Sequence, residues 1–151
     1  MTRLADYLFA IVIAMWVGAL WAIGFMAAPV LFQQLADRML AGAIAGKLFT
    51  IVAWLGIGSA VYALLYLMMR EGVGVLRSAV FWIVLVMLVL TLVGQFGVTP
   101  IMEGLKSQGV SRDIMAGVLR DRFMMWHGIS SVLYLAVSVL GVALVTQTFR
   151  R

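Results

Sequence analysis

Long apolar runs separated by short polar stretches dominate the chain. Four of these runs contain no charged residue, and they occupy residues 7–32, 48–69, 78–102 and 123–149. Each run is long enough to cross a ~30 Å hydrocarbon core as an α-helix, which needs ~20 residues and satisfies its backbone hydrogen bonds internally. The pattern therefore predicts four membrane spans at about these positions, in a single transmembrane domain covering residues 1–151.

The second half of the chain repeats a motif of the first half. The sequence W-x-G-I-x-S-x-x-Y occurs at Trp54–Tyr62 and again at Trp126–Tyr134, 72 residues later, and the two prolines, Pro29 and Pro100, are 71 residues apart. Each half thus contains an apolar helix, a proline, a polar stretch and a second apolar helix, as in internally repeated membrane folds. The predicted fold is an all-α integral membrane four-helix bundle of two tandem helical hairpins with pseudo-twofold symmetry.

Two polar connections join the helices within the predicted hairpins, at residues 33–47 and 103–122. In the second connection, apolar residues recur at helical spacing, at Ile114, Met115, Val118 and Leu119. This spacing predicts an amphipathic helix that either lies at the membrane interface or extends the fourth helix outward. The first connection has a similar pattern.

Composition supports the membrane location and excludes several kinds of cysteine-dependent site. Hydrophobic residues make up 65% of the chain and charged residues 11%, whereas soluble domains are about half apolar and a quarter charged. Cysteine is absent, which excludes disulfides, thiolate metal sites and iron–sulfur clusters. The formal charge of +5 comes from basic residues that flank the spans, so it indicates contact with anionic lipid and not with nucleic acid.

An even number of spans places both termini on the same side of the membrane. The basic residues divide five to six between the two sides, so the positive-inside rule does not decide the orientation. Arginines directly adjoin the spans on the side of the termini, and this favours cytoplasmic termini.

The candidate site residues are the few polar side chains inside or beside the spans. His127 is the only histidine, and it lies in the second motif copy where the first copy has Leu55. An ionisable side chain in a span indicates a ligand or a proton-handling group, and the alternative is an interfacial histidine bonded to a loop carbonyl. Gln95 is a second candidate, because a buried amide needs hydrogen-bond partners.

The prolines add backbone acceptors to this set. Pro29 and Pro100 cannot donate a hydrogen bond within their helices, so each frees a carbonyl about one turn earlier. We expect these carbonyls, Gln95 and His127 to converge on one polar pocket. The alternative is that each proline only kinks or ends its helix.

Charged and sulfur-containing residues complete the candidates. Glu103 and Lys47 lie on the proline side, and Lys47 must snorkel or pair because it interrupts an apolar stretch. A metal, if one is bound, would have only His127 or the eleven methionines as soft ligands. Core packing explains the methionines more simply, since adjacent residues on a helix point about 100° apart. The sequence requires no cofactor.

Several stretches resemble one family over nearly the whole chain. Trp16–Trp21, Gly24 and Ala27–Phe32 look like the signature of the transmembrane protein 205-like family, which includes bacterial four-span proteins with domain of unknown function 4149. Further stretches also fit the pattern, namely Ala41–Gly42, Lys47–Phe49, Pro100–Ile101, Phe123 and His127–Gly128. The resemblance implies a location in the bacterial inner membrane. A eukaryotic relative is linked to resistance to a platinum drug, which implies export of metal complexes that would here depend on methionine.

Helix one is also similar to that of two broader groups, the copper-resistance D family and the haem-binding membrane protoporphyrinogen oxidases. The oxidases carry a histidine in the first half of this helix, where the present chain has Leu8, Phe9 and Ala10. One histidine excludes bis-histidine haem ligation within a single chain and leaves histidine–methionine ligation open.

The leading hypothesis is binding or transport of a small solute, a metal or a metal complex between the hairpins on the proline side. Four helices hardly enclose a water-filled pore, so transport would need an oligomer or a rocking motion. The alternatives are a haem- or quinone-binding redox protein and a structural subunit of a larger membrane complex. An enzyme is less favoured, and the expected partners are the lipid bilayer and either further copies of the chain or a larger complex.

Overall fold

The structure is a computed structural model that describes residues 3–109 and 116–149. Its elements in chain order are α1 (Arg3–Trp21), a π-helical segment (Ala22–Ala27), α2 (Ala28–Gln34), α3 (Arg38–Glu71), a 3-10 segment (Gly72–Arg77), α4 (Ala79–Leu92), a second π-helical segment (Val93–Val98), α5 (Thr99–Gly109) and α6 (Ala116–Phe149). No strand occurs in these ranges, and the predicted all-α class is confirmed.

Helical stretches long and apolar enough to span a membrane number four within the described residues. They are Arg3–Gln34, Arg38–Arg77, Ala79–Leu105 and Asp121–Thr148, and we refer to them as the first to fourth spans. Spans adjacent in sequence pack against each other, and the first span also packs against the fourth through α1 and α6. The predicted four-helix membrane bundle is thereby confirmed.

The second span begins earlier than its uncharged run. The run starts at residue 48, but α3 begins at Arg38 and continues for 34 residues. Asp37 defines this start, because its carboxylate accepts hydrogen bonds from the backbone N–H groups of Met39 at 2.8 Å and Leu40 at 3.2 Å. Most of the polar connection at residues 33–47 is therefore helix.

The second polar connection is also largely helical. α5 continues the third span to Gly109, and α6 begins at Ala116. Val118 and Leu119 thus lie in a helix that extends the fourth span outward, which is one of the two predicted arrangements. Ile114 and Met115 lie outside the described residues.

Each proline follows a π-helical segment. Ala22–Ala27 precedes Pro29 and Val93–Val98 precedes Pro100 at the same spacing. Because proline has no N–H and its ring crowds the preceding turn, the helix widens there to bonds between residues five apart. Accordingly, the N–H of Ala28 bonds to the carbonyl of Ile23. The prolines widen their helices without ending them, and the matching positions support the internal repeat.

A buried tryptophan, Trp16, fills the middle of the bundle and packs against a glycine, Gly56. Trp16 is 0% exposed and lies against Gly56 of the first motif copy, where a Cβ would be 2.7 Å from the indole Nε1. Any larger residue at position 56 would displace this ring. The glycine of the first motif copy is therefore a packing feature between the first and second spans.

Most of the apolar surface of the spans faces outward. Only 17–28% of the most hydropathic window of each span is buried inside the bundle. Large apolar side chains such as Leu65, Met69 and Val132 are exposed. In a bilayer these faces contact lipid.

Candidate functional site

The contact between the hairpins on the proline side is built around Tyr134. The Tyr134 hydroxyl donates a 2.6 Å hydrogen bond to the backbone carbonyl of Leu20, and it also has a backbone hydrogen bond with Gly24. Leu20 and Gly24 are four residues apart, which is about one helical turn, and Gly24 lies in the π-helical segment. A side chain of the fourth span thus enters the turn of the first span where the π-helical segment starts.

Gly24 allows this close approach. A Cβ at position 24 would overlap Cε1 of Tyr134 and would lie 3.1 Å from the hydroxyl oxygen. A second bond between the same spans runs from the indole Nε1 of Trp21 to the carbonyl of Ser138, at 3.3 Å. Trp21 and Gly24, which carry part of the sequence signature, therefore hold the two hairpins together.

The equivalent contact does not form in the other half of the repeat. The spacing of the prolines places Gln95 where the first half has Gly24, so the second half has a side chain where the first half has none. Tyr62 is the counterpart of Tyr134, and its ring instead lies over that of Tyr66 with centroids 6.3 Å apart. The two motif tyrosines thus have different contacts, Tyr134 with the backbone of the first span and Tyr62 with Tyr66.

A groove of about 280 Å³ opens beside the Tyr134 contact, between the first and fourth spans. We call it the inter-hairpin groove, and it is lined by Gly24, Phe25, Ser131, Tyr134 and Leu135. Both hydroxyls in its lining have partners, since that of Ser131 donates to the carbonyl of His127 at 2.9 Å and that of Tyr134 donates to Leu20. The groove therefore offers mainly an aromatic and aliphatic surface to a ligand.

His127 lies one helical turn from this groove, towards the proline-side interface. It shares a helix face with Ser131, because residues four apart on a helix are neighbours. Its side chain is exposed, and its ring stacks on Phe123 with centroids 6.1 Å apart. The structure thus places His127 on the outer surface of the fourth span and not in the interior of the bundle.

The other predicted site residues lie mostly on the surface of the bundle. Lys47, Glu103, Pro29 and Pro100 are exposed, and Gln95 is half-buried. None of these residues lines the inter-hairpin groove. The described residues also contain no group of three or more histidine and carboxylate side chains that could hold a metal ion.

A second groove, of about 380 Å³, lies between the first and second spans. We call it the first-copy groove, because Val12 lines it together with residues of the first motif copy, namely Trp54, Leu55, Gly58, Ser59 and Tyr62. Neither Ser59 nor Tyr62 has a hydroxyl bonded to another described residue. The sequence signal for this groove is the motif itself, which places two hydroxyls three residues apart inside a span.

A family model described as "Domain of unknown function (DUF4149)" matches residues 11–111. The chain belongs to the DUF4149 family. The resemblance to proteins with domain of unknown function 4149 is thereby confirmed over residues 11–111. No curated protein and no solved structure matches the chain.

The two grooves differ in their relation to the DUF4149 match. All residues of the first-copy groove fall inside the matched range, whereas Ser131, Tyr134 and Leu135 of the inter-hairpin groove lie beyond it. The match also includes both prolines and both π-helical segments. The widened turns and the first motif copy are thus part of the segment that this DUF4149 protein shares with its family.

A polar cluster on the side of the termini was not predicted from the sequence. The hydroxyl of Tyr66 donates to the carboxylate of Asp6, and Arg70 donates to the same carboxylate oxygen at 2.8 Å. The sequence contained one indication of this pair. Asp6 and Arg70 lie at similar separations in sequence before and after the helix break at residues 35–37, so they come to the same end of the first two spans. The pair is half-exposed, so it contributes ~0–1 kcal/mol and mainly aligns the ends of the first two spans.

Proposed function

We propose that this DUF4149 protein binds a small, neutral and largely apolar organic solute in the inter-hairpin groove. The observation that carries the proposal is the position of the groove, between the two hairpins and beside the widened turn of the first span. Internally repeated membrane proteins bind ligands between their repeats, and π-helical turns are frequent at functional sites. The solute enters sideways from the bilayer, because the groove lies on the surface of the bundle.

The lining determines the chemistry of this solute. Phe25 and Leu135 offer apolar contacts, and no charged side chain lines the groove. An ion would lose its hydration there without compensation, so a neutral organic molecule fits better than a metal ion. His127 would be the first polar group that the solute meets on the proline side, while Gln95, Glu103 and Lys47 stay candidate contacts outside the groove.

Rocking of one hairpin against the other would expose and close the groove. Two hydrogen bonds join the hairpins beside it, Tyr134 to Leu20 and Trp21 to Ser138. The centre of the bundle is filled by side chains such as Trp16 and Met87, which are 0% exposed. This packed centre supports transport by movement of the hairpins in the inner membrane, and not through an axial pore.

Photolabelling with the neutral apolar probe 3-(trifluoromethyl)-3-phenyldiazirine tests the proposal. In nanodiscs containing the full chain, labelling of Phe25 should saturate as the probe concentration rises, because the groove holds a limited number of probe molecules. Labelling of Val139, which is 58% exposed to lipid, should rise in proportion to the probe. Mass spectrometry of the labelled peptides separates the two behaviours.

Two tryptophan substitutions supply the matched comparison. Leu135→Trp fills the inter-hairpin groove and should abolish the saturable labelling of Phe25. Val139→Trp adds the same side chain four residues later on the lipid-facing surface and should leave that labelling unchanged. Proportional labelling of Phe25 in the unsubstituted protein, or saturable labelling that survives Leu135→Trp, would contradict the proposal.

A further inference from the structure

The two motif copies differ in whether their hydroxyls have partners. In the second copy, Ser131 donates to the carbonyl of His127 and Tyr134 donates to the carbonyl of Leu20. In the first copy, Ser59 and Tyr62 line a groove and are not bonded to any described residue. The serine and tyrosine hydroxyls therefore have hydrogen-bond partners in the second copy and none among the described residues in the first copy.

Hydroxyls within membrane spans ordinarily bond to their own helix. Thr91 donates to the carbonyl of Met87 at 2.8 Å, and Ser138 donates to that of Tyr134 at 2.9 Å. Ser59 has the carbonyl of Leu55 at the same spacing, but no hydrogen bond joins them. The residue as a whole is only 7% exposed, and its hydroxyl oxygen is accessible from the groove. Because hydrocarbon supplies no partner, a molecule that brings an acceptor into the groove would be stabilised there.

The depth of these hydroxyls restricts what can reach them. Arg70 and Asp6 form a half-exposed pair at one end of the second span, which marks the membrane surface there. A ~30 Å hydrocarbon core takes up ~20 helical residues, so the core reaches from Arg70 to about Thr50, with its middle near residue 60. Ser59 and Tyr62 lie on either side of this middle. Phospholipid headgroups and ester groups stay at the interface, and a charged ligand would be costly at this depth.

We propose that the first-copy groove binds the headgroup of a membrane-dissolved quinone. A quinone is neutral and planar, carries two carbonyl acceptors, and is taken into the bilayer interior by its apolar tail. The hydroxyls of Ser59 and Tyr62 donate to its carbonyl oxygens, since residues three apart on a helix have Cβ atoms ~5–6 Å apart. A groove of about 380 Å³ accommodates one substituted ring, and Trp54 supplies an aromatic surface in its lining.

Neighbouring aromatic residues fix the groove in shape. Trp54 packs edge-to-face against Phe96 of the third span, with ring centroids 5.9 Å apart. The ring of Tyr62 lies over that of Tyr66, whose hydroxyl is bonded to Asp6. Tyr66 is therefore a positioning residue for Tyr62. The quinone site lies in the first hairpin and does not depend on the inter-hairpin groove.

Equilibrium binding of decylubiquinone to the full chain in nanodiscs tests this assignment, measured as quinone bound in excess of protein-free nanodiscs. We expect saturable binding of about one quinone per chain. Ser59→Ala and Tyr62→Phe each remove one donor and should weaken binding about fivefold, which corresponds to ~1 kcal/mol for one hydrogen bond. Ser131→Ala makes the same change in the second copy, where the hydroxyl already has a partner, and should bind quinone like the unsubstituted protein.

A groove-filling variant and a competitor complete the test. Gly58→Leu should abolish binding without disturbing the bundle, because a Cβ at Gly58 meets nothing within 4 Å. Decylbenzene has a similar tail and ring but no carbonyl, so it should compete poorly with decylubiquinone. The quinone assignment is wrong if no binding exceeds that of protein-free nanodiscs, if both hydroxyl variants bind normally, or if decylbenzene competes equally well. Saturable photolabelling of Phe25 is unaffected by any of these outcomes and reports on the inter-hairpin groove alone.

Discussion

At the scale of single residues, the two motif tyrosines have different environments although the sequence presents them as equivalents. Tyr134 reaches the backbone of the first span because position 24 is glycine, whereas the ring of Tyr62 lies over that of Tyr66 and the position that matches Gly24 is Gln95. The difference between Gly24 and Gln95 can be read from the sequence. The sequence does not show that positions 24 and 134 are in contact, because that depends on how the first and fourth spans are rotated and aligned.

Substitution of Gly24 tests this contact. Gly24→Ala places a methyl group into Cε1 of Tyr134 and should lower the free energy of unfolding by ~1–3 kcal/mol, measured by thermal denaturation in detergent. Gly18→Ala is the matched control on the same helix, because a Cβ there meets nothing within 4 Å.

A double substitution identifies the cause of that loss. Tyr134→Ala removes the overlapping ring, so combining it with Gly24→Ala should cost less stability than the sum of the two single changes. Strictly additive losses would mean that the alanine methyl group acts elsewhere than on Tyr134.

At the scale of elements, the four uncharged runs predicted the four spans, but the helix that contains the second run begins before it, at Arg38. Hydropathy marks where lipid contact ends, whereas a helix ends where its backbone loses hydrogen-bond partners. α3 therefore continues through the polar residues before position 48 as far as the cap at Asp37. The prolines were likewise identified, and the two interpretations were freed carbonyls, or a kink or end of the helix. The structure has a π-helical segment before each proline, and the helix continues beyond it.

The cap at Asp37 can be tested without disturbing the bundle. Asp37→Ala removes the acceptor for the N–H groups of Met39 and Leu40, which typically costs ~1 kcal/mol. We expect about fivefold faster hydrogen exchange in the first turn of α3, measured by mass spectrometry. Asp37→Ser keeps a capping oxygen and should exchange nearly as slowly as the unsubstituted protein. Unchanged exchange in Asp37→Ala would show that the extended start of α3 does not need this cap.

At the scale of the whole molecule, the bundle was predictable and the grooves were not. Four uncharged runs and a duplicated motif are enough to indicate two hairpins, because they reflect a general requirement of the bilayer. Grooves arise where particular side chains fail to fill the space between spans. His127 attracted attention as a rare residue, yet its side chain is exposed, while the unbonded hydroxyls belong to a serine and a tyrosine, which are common residues.

The orientation of the molecule in the membrane can be measured with introduced cysteines, because the chain has none of its own. The arginines that adjoin the spans lead us to predict cytoplasmic termini. A cysteine in the segment between the hairpins, introduced by Gly74→Cys, should then react with an impermeant maleimide only after spheroplasts are permeabilised. Asp121→Cys, on the proline side, should react in intact spheroplasts. The reverse pattern of labelling would place the termini outside.

The early start of α3 separates Arg38 from the electric field of the lipids. If the hydrocarbon core ends near Thr50, Arg38 lies ~18 Å further along the helix axis, and the headgroup layer occupies only ~5–8 Å of that distance. The remaining gap exceeds the ~8 Å Debye length at physiological ionic strength. Anionic lipids are therefore screened from Arg38, which instead faces the ions and macromolecules of the aqueous phase. Lys47, three residues from the edge of the core, stays within reach of the headgroups, so the eleven basic residues do not all act on lipid equally.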